Sequence, residues 1–452
     1  MEQPASPELT RALPGLKQLV SRIYEGRVTP PVGLVRQRIE APVVDDIEGT
    51  VTREVERAIE RSGRRPGPIA VGAGSRGIAN LDRMVRAAVD ALKAAGFAPY
   101  IVPAMGSHAG ATAAGQAQLL ADYGITERTM GVPVRATMET AVIGEVEGIP
   151  VHMDRNVVET GAVFLVCRVK PHTDFTGPIE SGLSKMCAIG LGKQVGAQVL
   201  HSAGVRGLRD IMPRAARLAV EKGILAGGVA AVENQRDQTA IIRGLAGSEV
   251  GGPLEEELLR EAYRLLPRIP FDSVDVLVVD RMGKNISGTG MDSNVLNRAR
   301  VPGVAEPEGL LIMNVAVLDL TEETHGNATG IGLADFMPAR LLEKLDLAWT
   351  YMNGLTAGVV GTERIKLPIV LPTDRDAVIA AIATCGRTAA EPVRLAWIQD
   401  TLHTQVLAVS PALLEEAERR PDLDLLADAG EMPFDSDGRL QPLADWAAAK
   451  VS

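Results

Sequence analysis

The chain has 452 residues, a formal charge of −10 and a pI near 5.3. That length predicts two or more domains with full hydrophobic cores, while the acidic balance and 3% aromatic content argue against nucleic acid and anionic membrane surfaces as partners. No apolar run reaches the length of a membrane span, MEQPASPELT lacks a signal-peptide pattern, and three cysteines fit a reducing cytoplasm better than a disulfide framework.

In chain order, residues 1 to 30 read as a helix and a lead-in arm, and 32–39 as an edge strand with alternating apolar residues. Residues 45–62 read as an amphipathic surface helix. PIAVGAGSRGIANLDRMVRAAVDALKAAG (68–96) has the order strand, glycine turn, long helix, and FAPYIVP (97–103) supplies the next strand. Ser75–Arg76 and Ser107–His108 then follow successive strand ends and face one edge of a parallel sheet. Residues 132–153 predict a hairpin around Gly144 and Gly148. Val163–Val169 is a buried strand leading into KPHTDFTGPIESGLSKMCAIGLGKQVGAQVLH, the stretch with the densest chemistry. A helix (208–222), strand-like ILAGGVAAVEN, further polar segments and a helix (253–266) follow. A boundary falls near Pro267–Pro270, after which FDSVDVLVVD starts a second sheet region with its own glycine-rich loop. The tail after Arg420 is acidic, contains proline and reads as loosely held.

The fold class expected is α/β: two α/β domains with mainly parallel sheets flanked by helices, residues 1–268 and 269–452, with the active site in the cleft between them. Ligands in such sheets bind outside the carboxyl ends of the strands. Gly72, Gly74 and Gly77 have dinucleotide-turn spacing, and Gly190 and Gly192 are further glycines whose backbone could receive phosphate. Easing of tight backbone packing explains the same glycines equally well. No Walker loop is present, and no acidic residue ends the second strand, which counts against NAD. His108 and His172 follow neighbouring strands, where imidazoles could exchange protons with the two faces of a substrate. Lys185, after Ser181-Gly182-Leu183-Ser184, is open to covalent chemistry, although a lysine opening a helix is more often a solvated surface residue. His201 stands apart from any second metal-ligand residue, and Cys187 reads as core.

Ser75–Arg76, Gly106-Ser107-His108, Pro171–His172, the 181–185 run and His201 together resemble the nickel-dependent lactate racemase family, over most of residues 68–205. The resemblance implies a nickel-pincer nucleotide (pyridinium-3-thioamide-5-thiocarboxylic acid mononucleotide) covalently attached to Lys185. It makes His201 the metal ligand for nickel, with the cofactor supplying the other donors, and His108 and His172 the two general acid–bases. Ser75, Arg76, Gly190 and Gly192 would line the cofactor, with Arg76 also binding an acidic group of the substrate. From the second domain, Asn297 with Arg298 or Arg300, or else Lys284 and Asn285, would contact the substrate. The family's acidic residue before the arginine is replaced by Ala73, and its proline–glycine pair after the lysine by Ala188-Ile189-Gly190. The spacing from His172 to Lys185 is longer than the family's.

The implied activity is racemisation or epimerisation of a small-molecule 2-hydroxy acid, with cofactor-synthesis accessory enzymes as maturation partners, and no nucleic acid or membrane. A nucleotide-dependent oxidoreductase and a non-catalytic small-acid-binding protein are the competing readings.

Overall fold

Apolar residues on both faces of VGLVRQ make β1 (Val32–Gln37) a buried strand. The others, in chain order, are β2 (Pro68–Ala73), β3 (Ala98–Pro103), β4 (Thr140–Val146), β5 (Ile149–Asp154), β6 (Val163–Arg168), β7 (Leu225–Glu233) and β8 (Thr239–Ala246). They continue with β9 (Ser273–Val279), β10 (Leu311–Val317), β11 (Phe336–Pro338), β12 (Ile369–Leu371), β13 (Leu395–Ile398), β14 (Val406–Val409) and β15 (Leu423–Gly430). The computed structural model describes residues 15–18, 22–74, 77–302 and 304–451; the expected helix and arm before Gly15, and Ser75 with Arg76, lie outside the described residues. The described chain divides into two units, residues 40–266, and residues 1–39 with 267–452. Each is an α/β body with a large, mainly parallel sheet flanked by helices.

In the 40–266 unit the sheet order is β3-β2-β6-β7-β8, parallel except for β8. Alternation along each strand feeds two cores. Ile69, Val71, Phe164 and Val166 face the helices Ile47–Ser62 and Leu81–Ala94. Ala70, Leu165 and Cys167 face the opposite layer, which contains Leu183, Cys187, Leu258 and Leu259. Asp46 caps the first of these helices, its Oδ1 accepting from the Gly49 N–H at 2.9 Å, and Gly63 closes it in the left-handed region (φ 60°). Gly72 inside β2 leaves room for the Leu165 side chain, whose Cδ2 would lie 2.5 Å from a Cβ there and would have to shift. The expected hairpin is β4–β5, turned by Glu147 and Gly148, both at positive φ.

In the other unit the order is β12-β11-β10-β9-β13-β14-β1-β15: five parallel strands extended by three antiparallel ones. Two expectations change here. β1 is not an edge strand: it lies between β14 and β15, and a Cβ on Gly33 would sit 2.7 Å from Ala427 O. The described residues before Glu40 accordingly group with 267–451 and not with the segment that follows them. The tail after Arg420 is not loose. It supplies β15 and the helix Leu443–Val451, whose Trp446 stacks on the fully buried Trp397 with centroids 5.5 Å apart. Asp280, just beyond β9, locks this arrangement by accepting from Trp397 Nε1 at 2.5 Å and from the Leu443 N–H at 2.6 Å.

Trp446→Ala should therefore cost about 3–5 kcal/mol of unfolding free energy, the usual figure for emptying an aromatic core site. Urea titration checks it, and a loss well under 1 kcal/mol would mean that the tail packing is incidental. Burial raises the Asp280 carboxyl from an ordinary 3.8 to about 7, despite its two N–H donors. Between those pH values the folded state holds a proton that the unfolded state has released. Stability contributed by this group is thus fully present below 3.8 and lost as pH rises through about 7. A carbon-detected NMR titration of the Asp280 carboxyl should have its midpoint near 7.

Candidate functional site

β2 is paired in register with both neighbours: Ala73 lies opposite Pro103 of β3 and Val166 of β6. Three carboxyl ends consequently finish at one edge. The chain leaves β2 towards β3 but adds β7 on the other side of β6, so the order reverses between β2 and β6. That switch point is where open α/β sheets leave a crevice. Gly74 follows β2 there, and Lys170 to His172 follow β6.

The loop after β3 runs through Gly106 to His108. Gly106, at φ 60°, donates its N–H to Gly190 O at 3.0 Å. His108, half-buried, opens a short helical turn at Ala109–Ala111. Gln116, fully buried, donates its Nε2 to Gly106 O at 2.8 Å and to His108 O at 3.4 Å, which pins this loop from behind.

The loop after β6 is organised by two buried carboxylates. Glu180 accepts from the His172 N–H (2.8 Å), the Gly177 N–H (2.9 Å) and the Tyr263 hydroxyl (3.0 Å). Burial pushes its carboxyl up, while these donors and the nearby Lys185 charge pull it down. Glu255 accepts from Ser184 N–H (2.9 Å), Ser184 Oγ (2.7 Å) and Gly251 N–H (2.8 Å), so it anchors the turn Gly182–Lys185 at its start. Burial pushes this carboxyl up as well. Gly182 sits at φ 79° with Glu255 Oε1 2.6 Å from where a Cβ would be. Gly228 of β7 makes room for the Leu183 side chain.

His172 is packed against Phe175, with ring centroids 4.7 Å apart. The Asp174 N–H donates to its Nδ1 at 3.2 Å, and the Asp174 carboxylate lies 3.9 Å from the same nitrogen. Lys185 is half-buried and Met186 after it lies against Gly74. From Gly182 to Glu221 the chain is largely helical, interrupted by π turns at Met186–Gly190 and Gly207–Ile211 on either side of the helix Lys193–Ser202. Half-buried His201 lies in the last turn of that helix.

Several sequence expectations take a different form. Gly190 and Gly192 do not sit between a strand and a helix. They belong to the helical run, where a Cβ would meet Ala104 O at 2.7 Å and Ala188 O at 2.4 Å respectively. Close backbone packing accounts for both. Gly72 lies within β2 and the following helix starts only at Leu81, so the 72–77 spacing is not a dinucleotide turn. Cys187 is core: its buried thiol is pushed up to about 12.

In the 267–452 portion, Arg298 is buried and donates to Leu333 O, Asp335 Oδ2, Ile312 O and Met313 O, all within 3.0 Å. Asn297 holds its own loop through Pro307, Glu308 and Leu310 carbonyls. Arg300 pairs with Asp335 at 2.5 Å. Lys284 Nζ donates to Gly288 O at 2.8 Å. Internal packing therefore already employs Arg298 and Asn297, the first two residues assigned to substrate.

Glu180, Glu255, Gln116, Lys193 and Asp154 escaped sequence reading. Isolated acidic, amide or lysine residues carry no spacing signal, and only the fold shows that all five are buried.

No family model matches the chain, and no curated protein does. Among solved structures, it is similar to the lactate racemase apoprotein of Thermoanaerobacterium thermosaccharolyticum. The identity is 12% and the TM-score 0.51, over 81% of this chain and 94% of that one. A structural-genomics protein of Thermotoga maritima is 14% identical with a TM-score of 0.44, over 78% and 87%.

Replacing Glu255 by Gln would set an amide N–H₂ against the Ser184 and Gly251 donors. We expect E255Q to lose about 1–3 kcal/mol of stability, the cost of leaving buried donors unpaired. Urea unfolding measures this, and an unchanged midpoint would show that Glu255 does not hold the Lys185 turn.

Proposed function

We propose that the protein is a racemase or epimerase of a 2-hydroxy acid that works with a nickel-pincer nucleotide tethered to Lys185. What supports the reading is that the loops after β3 and β6, with His108 and His172, leave the same edge of the sheet, and that Met186, next to Lys185, lies against Gly74 after β2. The lactate racemase-like fold and the sequence resemblance support it. The donor set also fits such a group. Among the described residues no three His, Cys, Asp or Glu side chains gather as a metal site, and burial keeps Cys167 and Cys187 as thiols. A metal at His201 would therefore draw its remaining ligands from a bound cofactor, as the pincer nucleotide provides.

When bound, that cofactor supplies the hydride acceptor for C2. The chain's own residues handle the proton and the geometry. Lys185 would hold the tether on a turn fixed by Glu255, and His201 would give a protein ligand to nickel. His172 gives a proton to the oxygen on C2 from its imidazolium form when a keto acid is reduced, and is left as the neutral ring. His108 takes the complementary role, receiving the 2-hydroxyl proton as the hydroxy acid is oxidised. A bound cofactor of this kind would supply hydride to either face of the planar keto acid, which inversion at C2 requires. Arg76 is assigned to a carboxylate of the substrate, where a planar guanidinium binds two oxygens at once.

Protein co-expressed with cofactor-synthesis enzymes should carry a covalent adduct at Lys185 by intact and peptide mass spectrometry, together with nickel. Apo mass without nickel from that preparation would end this reading. In the loaded protein, H108N and H172N should each lower stereoinversion or C2 deuterium exchange at least about 100-fold, as loss of a general acid–base does, with the adduct retained. H201A should lose nickel and keep the adduct.

A further inference from the structure

Lys193 is a costly residue. Its side chain is fully buried, and its backbone sits in the left-handed region at φ 55°, a conformation that costs a non-glycine residue stability. The ammonium lies 2.9 Å from Asp154 Oδ2, and it donates to Pro103 O at 2.6 Å and to Gln116 Oε1 at 3.4 Å. Asp154 and Gln116 are also fully buried. Burial pushes the Asp154 carboxyl up and the Lys193 ammonium down, and the ion pair opposes both. Buried pairs of this kind add little net stability compared with apolar residues of the same volume, so stability alone does not explain the arrangement.

What the ammonium does is join elements. Pro103 is the last residue of β3, directly before the His108 loop. Gln116, held by Lys193, itself holds Gly106 and His108 by their carbonyls. Asp154 ends β5 and, through Oδ1, caps the next helix at the Asn156 N–H (2.9 Å). Lys193 opens the helix that carries His201. Along that helix Ala197 and His201 are four residues apart and share a face. A Cβ on Gly106 would stand 4.0 Å from Ala197 Cβ, so the His108 loop lies against the His201 helix.

We propose that Lys193 is a positioning residue that holds the His108 loop and the His201 helix in one fixed arrangement, acting on His108 through Gln116. The functional value of that arrangement rests on the roles proposed above for the two histidines; the arrangement itself does not.

The test uses full-length protein without cofactor and reads diethyl pyrocarbonate modification rates of individual histidines by peptide mass spectrometry. Exposed His325 and His403 serve as internal controls. K193M/D154N removes both charges while Asn keeps the helix cap. It should raise the rates at His108 and His201 roughly tenfold, within the range set by unsatisfied buried acceptors, with the controls unmoved. Q116L leaves the ion pair intact and should raise His108 alone. Unchanged rates at both site histidines, or an equal rise at the controls, would overturn the proposal. So would a Q116L effect at His201 equal to that at His108, and this variant decides the matter if the double variant does not fold. In loaded protein, Q116L should also lower kcat with KM little changed. Absence of turnover in wild type would count against the proposed activity and leave the modification result standing.

Discussion

Everything at the candidate site depends on the in-register parallel pairing of β2 with β3 and β6. Parallel strands are held level by their hydrogen bonds: β2 and β3 end together at Ala73 and Pro103, and β6 runs two residues past Val166, the partner of Ala73. Gly72 permits that pairing to be flanked by Leu165 without a clash, and the apolar alternation commits each strand to two covered faces. Loops with very different sequences are thereby delivered to one place. Shifting any of these strands by one residue would exchange the two cores and turn the loops away.

The loops themselves are set by buried polar groups. Glu180 fixes the backbone at His172, Glu255 fixes the turn before Lys185, and Lys193 with Gln116 fixes the segment before His108. Each group is expensive to bury and is satisfied by several partners. A site that must hold reacting groups in a narrow range of geometry gains from such supports, because a loop with only apolar packing beneath it can settle in several positions. The π turns on either side of the His201 helix are further locally unfavourable backbone beside the candidate site.

The other unit follows a similar logic with a different outcome. Its parallel core β12-β11-β10-β9-β13 is extended by antiparallel strands drawn from both ends of the chain. Periodicity identified β1 as a strand, but no local feature shows which strands it joins, since its partners lie more than 350 residues away. The tail was misread for a related reason. Its acidic, proline-containing composition resembles a solvated segment, whereas the Leu443 N–H bonds Asp280 just beyond β9 and Trp446 stacks on Trp397 of β13.

The sequence by itself determined the α/β class, the β4–β5 hairpin, the strand that leads into the His172 loop, and which histidines and lysine follow strand ends, because these are written in local periodicity and turn residues. It also made Cys187 core. Only the tertiary structure decided that Gly72, Gly190 and Gly192 serve packing, that Arg298 and Asn297 are tied to their own unit, and that Lys193, Gln116, Glu180 and Glu255 stand behind the site. Those outcomes depend on which distant backbone or side-chain atoms come within hydrogen-bonding or van der Waals reach, and separation along the chain says nothing of that.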